Sequence, residues 1–141
     1  MPAVPGVNLQ GVLALRTRAD AEAILARLQE ARRVVVVGAG FIGLEVAVMA
    51  RQMGLEVRVI EFADRVLKRA VSAPTADYLA QALASRGVQF SLETGVTAFT
   101  GSDGRVDGVL TSRSENVAAD LVVVGVGVEP NVELARAAGL P

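Results

Sequence analysis

The stretch that most constrains the fold is residues 34–43, VVVVGAGFIG, in which four β-branched residues run directly into a Gly-x-Gly-x-x-Gly motif. An uninterrupted run of valines is typical of a strand that is buried on both faces of a parallel sheet. Helix-forming residues follow at 44–53, and a second short apolar run, residues 57–60, ends at the acidic residue Glu61. Strand, glycine turn, helix, strand and distal acid together predict a βαβ unit that binds a dinucleotide.

Each residue of this unit has a distinct predicted role. Gly38 allows the sharp turn, Gly40 lets the backbone approach a pyrophosphate, and Gly43 lets the helix pack closely against the strand. The free N–H groups and the positive dipole end of the helix face the phosphates, and Glu61 accepts hydrogen bonds from ribose hydroxyls. A glycine loop can also be a plain structural turn, but the strand, helix and acid around it favour the dinucleotide. The motif alone leaves NAD and FAD both open.

Composition excludes several classes of function. The 141 residues most simply form one domain, and the net charge of −1 gives no argument for binding nucleic acid or an anionic membrane. The sequence has no cysteine and no histidine, which excludes disulfides, thiolate metal sites and histidine-based acid–base catalysis within this chain. No stretch is long enough to span a bilayer, and the N-terminus is unlike a signal peptide, so we expect a cytoplasmic protein.

The rest of the chain is predicted to alternate strands with helices and then to change pattern. The predicted strands occupy residues 11–15, 34–37, 57–60, 88–92, 96–100, 105–111, 116–118 and 121–124. The predicted helices occupy residues 17–31, 44–53, 75–86 and 131–138, with Thr17 as N-cap of the first and Pro74 opening the third. A turn signal at residues 102–104 favours an antiparallel meander over a further helix in the region around it.

Helical spacing predicts which side chains point inward. The expected core positions are Ile24, Leu25, Leu28, Ile42, Val46, Met49, Met53, Leu79 and Leu83, and Tyr78 is expected to pack as well. The charged residues Arg32, Arg33, Arg65 and Lys68 are expected to be solvated.

Residues 34–61, 65–72 and 120–131 together resemble the NAD-binding domain of FAD-dependent pyridine nucleotide-disulfide oxidoreductases. The segments GFIGLEVA at 40–47 and GVGVEPN at 125–131 are most similar to the ferredoxin reductase branch, whose flavoproteins pass electrons from NADH to iron–sulfur proteins. The resemblance implies an α/β fold: a Rossmann-like parallel sheet with helices on one side and a small antiparallel β-meander on the other. It further implies that residues 1–31 are a lead-in strand and helix from a missing FAD domain and residues 32–141 the NAD-binding domain, within one compact unit.

The family also has FAD-binding segments and a C-terminal interface domain, and this chain is expected to be a fragment without them. The resemblance therefore implies NAD as cofactor, with NADH preferred over NADPH, and FAD only in the full-length protein. The implied partners are NADH, the missing domains and a ferredoxin-type electron acceptor, with no nucleic acid and no membrane. The fragment alone is expected to be inactive.

The predicted cofactor-binding residues are Gly38, Gly40, Phe41, Ile42, Gly43, Glu45, Glu61, Arg69, Gly125, Val126 and Gly127. No catalytic residue and no metal ligand is predicted. By resemblance, Glu45 lies near the nicotinamide and Arg69 reaches the adenosine side; a helix-start acid and a solvated loop charge are the alternatives. Gly125 and Gly127 end a buried strand at the edge that Gly38 shares, where ligands of parallel sheets lie.

Two other functions fit the same residues. The chain could be the equivalent domain of an NADH oxidase, a nitrite reductase or a disulfide reductase. It could also be a non-catalytic NAD-sensing or interaction module, as in apoptosis-inducing-factor-like proteins.

Overall fold

The computed structural model describes residues 3–127 and 130–140, in which strands and helices follow the predicted order. The strands are β1 (Val12–Ala14), β2 (Arg33–Val37), β3 (Glu56–Ile60), β4 (Val88–Ser91), β5 (Val96–Ser102), β6 (Arg105–Thr111), β7 (Asn116–Ala118) and β8 (Leu121–Val124). The helices are α1 (Arg18–Glu30), α2 (Phe41–Gln52), α3 (Ala73–Ala84) and α4 (Glu133–Ala137). No helix among the described residues is long and apolar enough to cross a membrane.

Five strands form one parallel sheet in the order β1-β8-β2-β3-β4. The valine strand β2 lies at its centre, with Val34 opposite Leu121 of β8 on one side and Val57 of β3 on the other. The remaining strands form a three-stranded antiparallel sheet in the order β5-β6-β7. The lead-in strand β1 pairs with β8 in the main sheet, so residues 12–14 form an edge of that sheet.

The two faces of the parallel sheet carry two separate hydrophobic clusters. Val34 and Val36 point towards the helices, where they pack with Ile24, Leu28 and Ala47. The alternate residues of β2 point to the other face and pack against the antiparallel sheet, through Val35, Val37, Phe99, Val109 and Val117. Because side chains alternate along a strand, a run of four valines supplies both clusters. The predicted arrangement, helices on one side and a meander on the other, is confirmed.

Helix α1 begins as predicted at Thr17. The Thr17 hydroxyl accepts a hydrogen bond from the backbone N–H of Asp20, and the Asp20 carboxylate accepts one from the N–H of Thr17, at 3.2 and 2.7 Å. This reciprocal pair is a capping box, which satisfies two N–H groups that the start of a helix leaves unpaired.

Several helical side chains that were predicted to be buried are exposed: Leu25, Ile42, Met49, Met53 and Tyr78. Each helix covers only one face of the sheet, and its buried stripe is narrow. In α2 that stripe consists mainly of small residues, such as Gly43, Ala47 and Ala50, which let the helix approach the sheet closely. The methionines flank this stripe, so the prediction that they belong to the core is wrong.

Arg33 is exposed, as predicted, but it is not only solvated. Its guanidinium forms an ion pair with Asp120, which directly precedes β8. A second charged side chain, Arg58 of β3, reaches from the parallel sheet to Glu115, between β6 and β7. The Arg33–Asp120 pair thus joins the starts of β2 and β8, and the Arg58–Glu115 pair joins the two sheets.

Candidate dinucleotide-binding site

The glycine loop, residues 38–43, starts at the carboxyl end of β2, next to the carboxyl end of β8. Gly38 has a φ of +103°, a conformation that favours glycine. Its N–H donates to the carbonyl of Ile60 at 2.8 Å, and the N–H of Gly125 donates to the carbonyl of Val37 at 2.7 Å. A Cβ on Gly38 would lie 2.5 Å from the carbonyl oxygen of Gly125, so the two strand ends touch through bare backbone.

Gly43 fills a position where helix and strand are in direct contact. A Cβ there would overlap the carbonyl oxygen of Gly38 and would lie 3.1 Å from Cγ1 of Val36. The close packing expected at Gly43 is therefore mainly against the backbone of the glycine loop, at the carbonyl group of Gly38.

Gly40 differs from these two glycines because a Cβ there would meet no atom within 4 Å. Its backbone is extended, with φ −78° and ψ −179°, which any residue can adopt. Gly40 is the N-cap of α2, and no side chain caps this helix. The absence of a side chain thus leaves free space directly over the positive end of α2, where a pyrophosphate would approach the free N–H groups. The residues present fit a bound dinucleotide.

Glu61 lies next to the glycine loop and is half-buried. Its Oε2 accepts a hydrogen bond from the N–H of Ala39 at 2.6 Å, and its Oε1 accepts one from the N–H of Ala63 at 2.8 Å. Each carboxylate oxygen can accept two hydrogen bonds, so both keep capacity for a ribose hydroxyl. The ribose role of Glu61 stays a prediction.

The loop of residues 62–72, which follows Glu61, is fastened to the glycine loop. The N–H of Leu67 donates to the carbonyl of Ala39 at 2.9 Å, and both Val66 and Leu67 are buried in the helix-side cluster. Arg65 is half-buried: its Nη2 donates to the carbonyl of Lys68, and its Nε is buried without a partner among the described residues. The prediction that Arg65 is a surface residue is therefore wrong, whereas Lys68 is exposed and pairs with Asp64 at 3.1 Å.

The remaining predicted site residues lie on the surface. Glu45 of α2 and Arg69 of the 62–72 loop are exposed, and their cofactor roles stay predictions. Gly127 has a φ of +132°. In the GVGVEPN segment, Val128 and Glu129 lie outside the described residues.

Exposed apolar side chains follow three strand ends at this edge: Phe41 is 60% exposed, Val126 56% and Phe62 83%. Ile42, beside Phe41, is also exposed. Phe62 is not among the predicted site residues, although an aromatic residue directly after the acid Glu61 was a signal in the sequence. Exposed apolar side chains of this kind can pack against the faces of planar rings such as adenine and nicotinamide.

Two cavities of the described chain lie elsewhere. One of about 210 Å³ is lined by Gln10, Arg27 and Arg105, and one of about 400 Å³ by Arg33, Glu56 and others. Both are at the amino ends of the parallel strands, where Arg27 pairs with Glu30 and Arg33 with Asp120. The glycine loop lines neither of these two cavities.

The whole chain, residues 1–141, matches the model of the pyridine nucleotide-disulphide oxidoreductase family. The chain belongs to this family. It is 48% identical to rhodocoxin reductase from Rhodococcus erythropolis over 98% of its own length and 32% of that protein. In three dimensions it matches the ferredoxin reductase for the CYP199A2 system from Rhodopseudomonas palustris with a TM-score of 0.94 and 45% identity, covering 100% of this chain and 35% of that one. The resemblance to the ferredoxin reductase branch is thus confirmed, and the chain spans about a third of the length of these relatives.

A third structure is informative about coenzyme choice. It is an engineered water-forming NADPH oxidase bound to NADPH, 29% identical, with a TM-score of 0.87, covering 98% of this chain and 30% of that one. It is a mutant of the NADH oxidase from Lactobacillus brevis, with five substitutions: one glycine and one aspartate to alanine, one alanine and one proline to arginine, and one methionine to serine.

Proposed function

We propose that this chain is the NADH-binding domain of a flavin-dependent oxidoreductase that delivers electrons to a ferredoxin-type protein. The observation that carries the proposal is the free space over Gly40 at the uncapped start of α2, with the carboxylate of Glu61 beside it. The relatives named ferredoxin reductase support the choice of electron acceptor. The proposal keeps residues 1–31 as the lead-in from an FAD domain, residues 32–141 as the NAD-binding domain, and a cytoplasmic location.

The chain's own residues would bind and orient the dinucleotide. The redox chemistry, transfer of a hydride from NADH to FAD and then of single electrons to an iron–sulfur protein, belongs to the cofactors. The N–H groups at the start of α2 would hold the pyrophosphate, and Glu61 would hold the adenine ribose. Phe41 and Val126, exposed at the same edge, would cover the dinucleotide.

A preference for NADH over NADPH is part of the proposal. A 2′-phosphate beside the Glu61 carboxylate would bring two negative groups together and would remove one hydroxyl donor. The engineered oxidase supports this reading. Its glycine and aspartate substitutions are separated by the same interval as Gly43 and Glu61, and on that spacing its other three fall at Phe62, Ala63 and Lys68.

The second candidate is the equivalent domain of an NADH oxidase, because the structure of such an oxidase superposes on this chain as well. Both candidates use the same NADH site, so they differ only in what receives the electrons.

The test is a titration of this chain with NADH and with NADPH, followed by protein or nicotinamide fluorescence. Saturable binding of NADH that is lost in Gly40→Val, with an unchanged fold by circular dichroism, is the expected result. Absence of NADH binding to the folded chain would contradict the proposal. A second assay identifies the electron acceptor. NADH consumption by the full-length protein would be measured with a ferredoxin and with oxygen alone. Consumption that needs no ferredoxin would favour the NADH oxidase as the parent protein.

A further inference from the structure

One peptide unit in the glycine loop, between Gly38 and Ala39, is restrained from both ends. At its N–H end, Ala39 donates to Oε2 of Glu61 at 2.6 Å, a short hydrogen bond to a charged acceptor. At its opposite end, the carbonyl oxygen of Gly38 occupies the space that a Cβ on Gly43 would need. The carboxylate and the glycine therefore act on the same peptide plane from opposite sides.

Glu61 is itself held in place. Its second oxygen accepts a hydrogen bond from the N–H of Ala63, so the carboxylate joins the end of β3 to the turn after β2. The next peptide of the loop is fastened too, because the carbonyl of Ala39 accepts the N–H of Leu67. All of these contacts are between residues of the chain itself, which gives Glu61 a role in addition to any contact with a ribose.

We propose that Glu61 is a positioning residue for the glycine loop: its carboxylate fixes the orientation of the 38–39 peptide, and Gly43 provides the room that this orientation requires. The consequence for NADH rests on the proposed function, whereas the effect on the loop does not. Glu61 then contributes to the binding of every dinucleotide, whatever its ribose carries, and its contribution is coupled to Gly43.

The coupling has a defined sign. With Glu61 present, a methyl group at position 43 pushes against a peptide that cannot turn. With the carboxylate removed, the peptide can rotate away and the methyl group is accommodated. Residues that act on one shared group are not additive, so the double variant is expected to lose less than the sum of the single variants.

A double-mutant cycle tests this coupling through the Kd for NADH. Gly43→Ala is expected to weaken NADH binding about tenfold in the native background and less than about threefold in Glu61→Ala, a coupling within the usual range for residues in contact. The matched control combines Gly43→Ala with Asp77→Ala, an exposed acid on α3, and is expected to be additive. Additive losses in the Glu61 cycle would overturn the proposal.

A second arm separates the positioning role from the ribose role. The probe is an NADH analogue with 2′,3′-dideoxyadenosine, which has no adenine-ribose hydroxyl for Glu61 to bind. If Glu61 positions the loop, Glu61→Ala weakens this analogue as well, and Glu61→Gln, which keeps one acceptor oxygen, restores part of the loss. An analogue affinity that is the same in Glu61→Ala and the native chain would show that Glu61 acts on the ribose alone.

A third arm needs no cofactor. Amide hydrogen exchange of Ala39, followed by NMR, is expected to be at least about tenfold faster in Glu61→Ala than in the native chain, with Glu61→Gln in between, because local opening of the loop becomes easier. An unchanged exchange rate would overturn the loop inference. Failure of the native chain to bind NADH would instead contradict the proposed function, and the exchange result would stand.

Discussion

Arg33 and Asp120 tie the beginnings of two neighbouring parallel strands together. Nη2 of Arg33 lies 2.6 Å from Oδ1 of Asp120, while Oδ2 accepts the backbone N–H groups of Arg32 and Arg33 at 3.0 and 2.9 Å. One carboxylate thus satisfies the guanidinium and two backbone donors at the start of β2. The hydrogen bond from the Arg33 side chain is the largest cause that holds the pKa of Asp120 below its usual range, and burial opposes it.

This pair predicts a specific pH dependence of stability. A carboxyl group whose pKa is lower in the folded chain than in the unfolded chain stabilises the fold at pH values above its unfolded pKa of about 3.9. This stabilisation is lost as the pH falls through the lower pKa of the folded chain. We expect Asp120→Asn to lower the free energy of unfolding by roughly 1 kcal/mol at neutral pH, since the pair is partly exposed. The difference from the native chain should narrow as the pH falls below the unfolded value of about 3.9. Urea unfolding of both chains from pH 7 down to pH 3 is the measurement. A constant difference over that range would contradict the assignment.

A second stability prediction concerns the link between the two sheets. Nη1 of Arg58 lies 2.5 Å from Oε1 of Glu115, and its Nε and Nη2 donate to Oε1 of Gln89. Arg58→Met removes this link while keeping the aliphatic stem, and we expect a loss of about 1 kcal/mol in urea unfolding. The control is Arg18→Met, whose ion pair with Glu22 is more exposed than that of Arg58 and should matter by less than about 0.5 kcal/mol. Equal losses in both variants would show that the sheets are not joined by this pair.

The chain alone should carry no flavin and no NADH-driven reductase activity. If the glycine loop holds NADH, it holds no FAD, and the sequence has no cysteine to act as a redox thiol. A visible absorption spectrum of the purified chain and an assay with a dye acceptor are the measurements. Stoichiometric FAD in the protein would reassign the glycine loop to the flavin.

The parts of the fold that depend on local pattern were predictable from the sequence. Four consecutive valines required a strand buried on both faces, and the Thr17 and Asp20 pair marked the start of α1. Helical spacing did not reveal how wide the buried stripe of α2 is, because that width depends on how closely the helix approaches the sheet. Met49 and Met53 were therefore placed in the core wrongly.

For the site, the sequence identified the glycines and Glu61 but not their mutual contacts. The hydrogen bond from Ala39 to Glu61 depends on the path of two loops that are far apart in sequence. The partial burial of Arg65 depends likewise on the anchoring of the 62–72 loop at Leu67. Interactions of this kind follow from tertiary structure, which no residue spacing specifies.

The carboxylate of Glu61 is expected to determine the choice between NADH and NADPH. We expect the native chain to prefer NADH by about 2 kcal/mol, or about 30-fold in Kd, because of like-charge contact and a lost donor at Glu61. The ratio should shrink in Glu61→Ala and reverse when Phe62→Arg is added, since Phe62 is 83% exposed and can be replaced without disturbing the core. Titrations with both coenzymes measure the ratio. Equal affinities in the native chain would mean that Glu61 does not contact the ribose.

The last prediction separates binding from folding at Gly40. Serine at this position is sterically accepted in the free chain, because a Cβ meets nothing within 4 Å and the backbone is already extended. A serine hydroxyl at the N-cap can also accept an N–H of the first turn of α2, which at present has no side-chain cap. We therefore expect Gly40→Ser to leave the free energy of unfolding unchanged or to raise it by a few tenths of a kcal/mol. The same side chain occupies the space over the helix start, so NADH binding should weaken by about tenfold or more.

The control is Gly104→Ser, in the β5–β6 turn. A Cβ at Gly104 also meets no atom within 4 Å, but its φ is +75°, so this variant should lose stability and keep its NADH binding. If Gly40→Ser bound NADH as tightly as the native chain, the dinucleotide would not pass over Gly40, and the site would have to be placed elsewhere on this edge of the sheet.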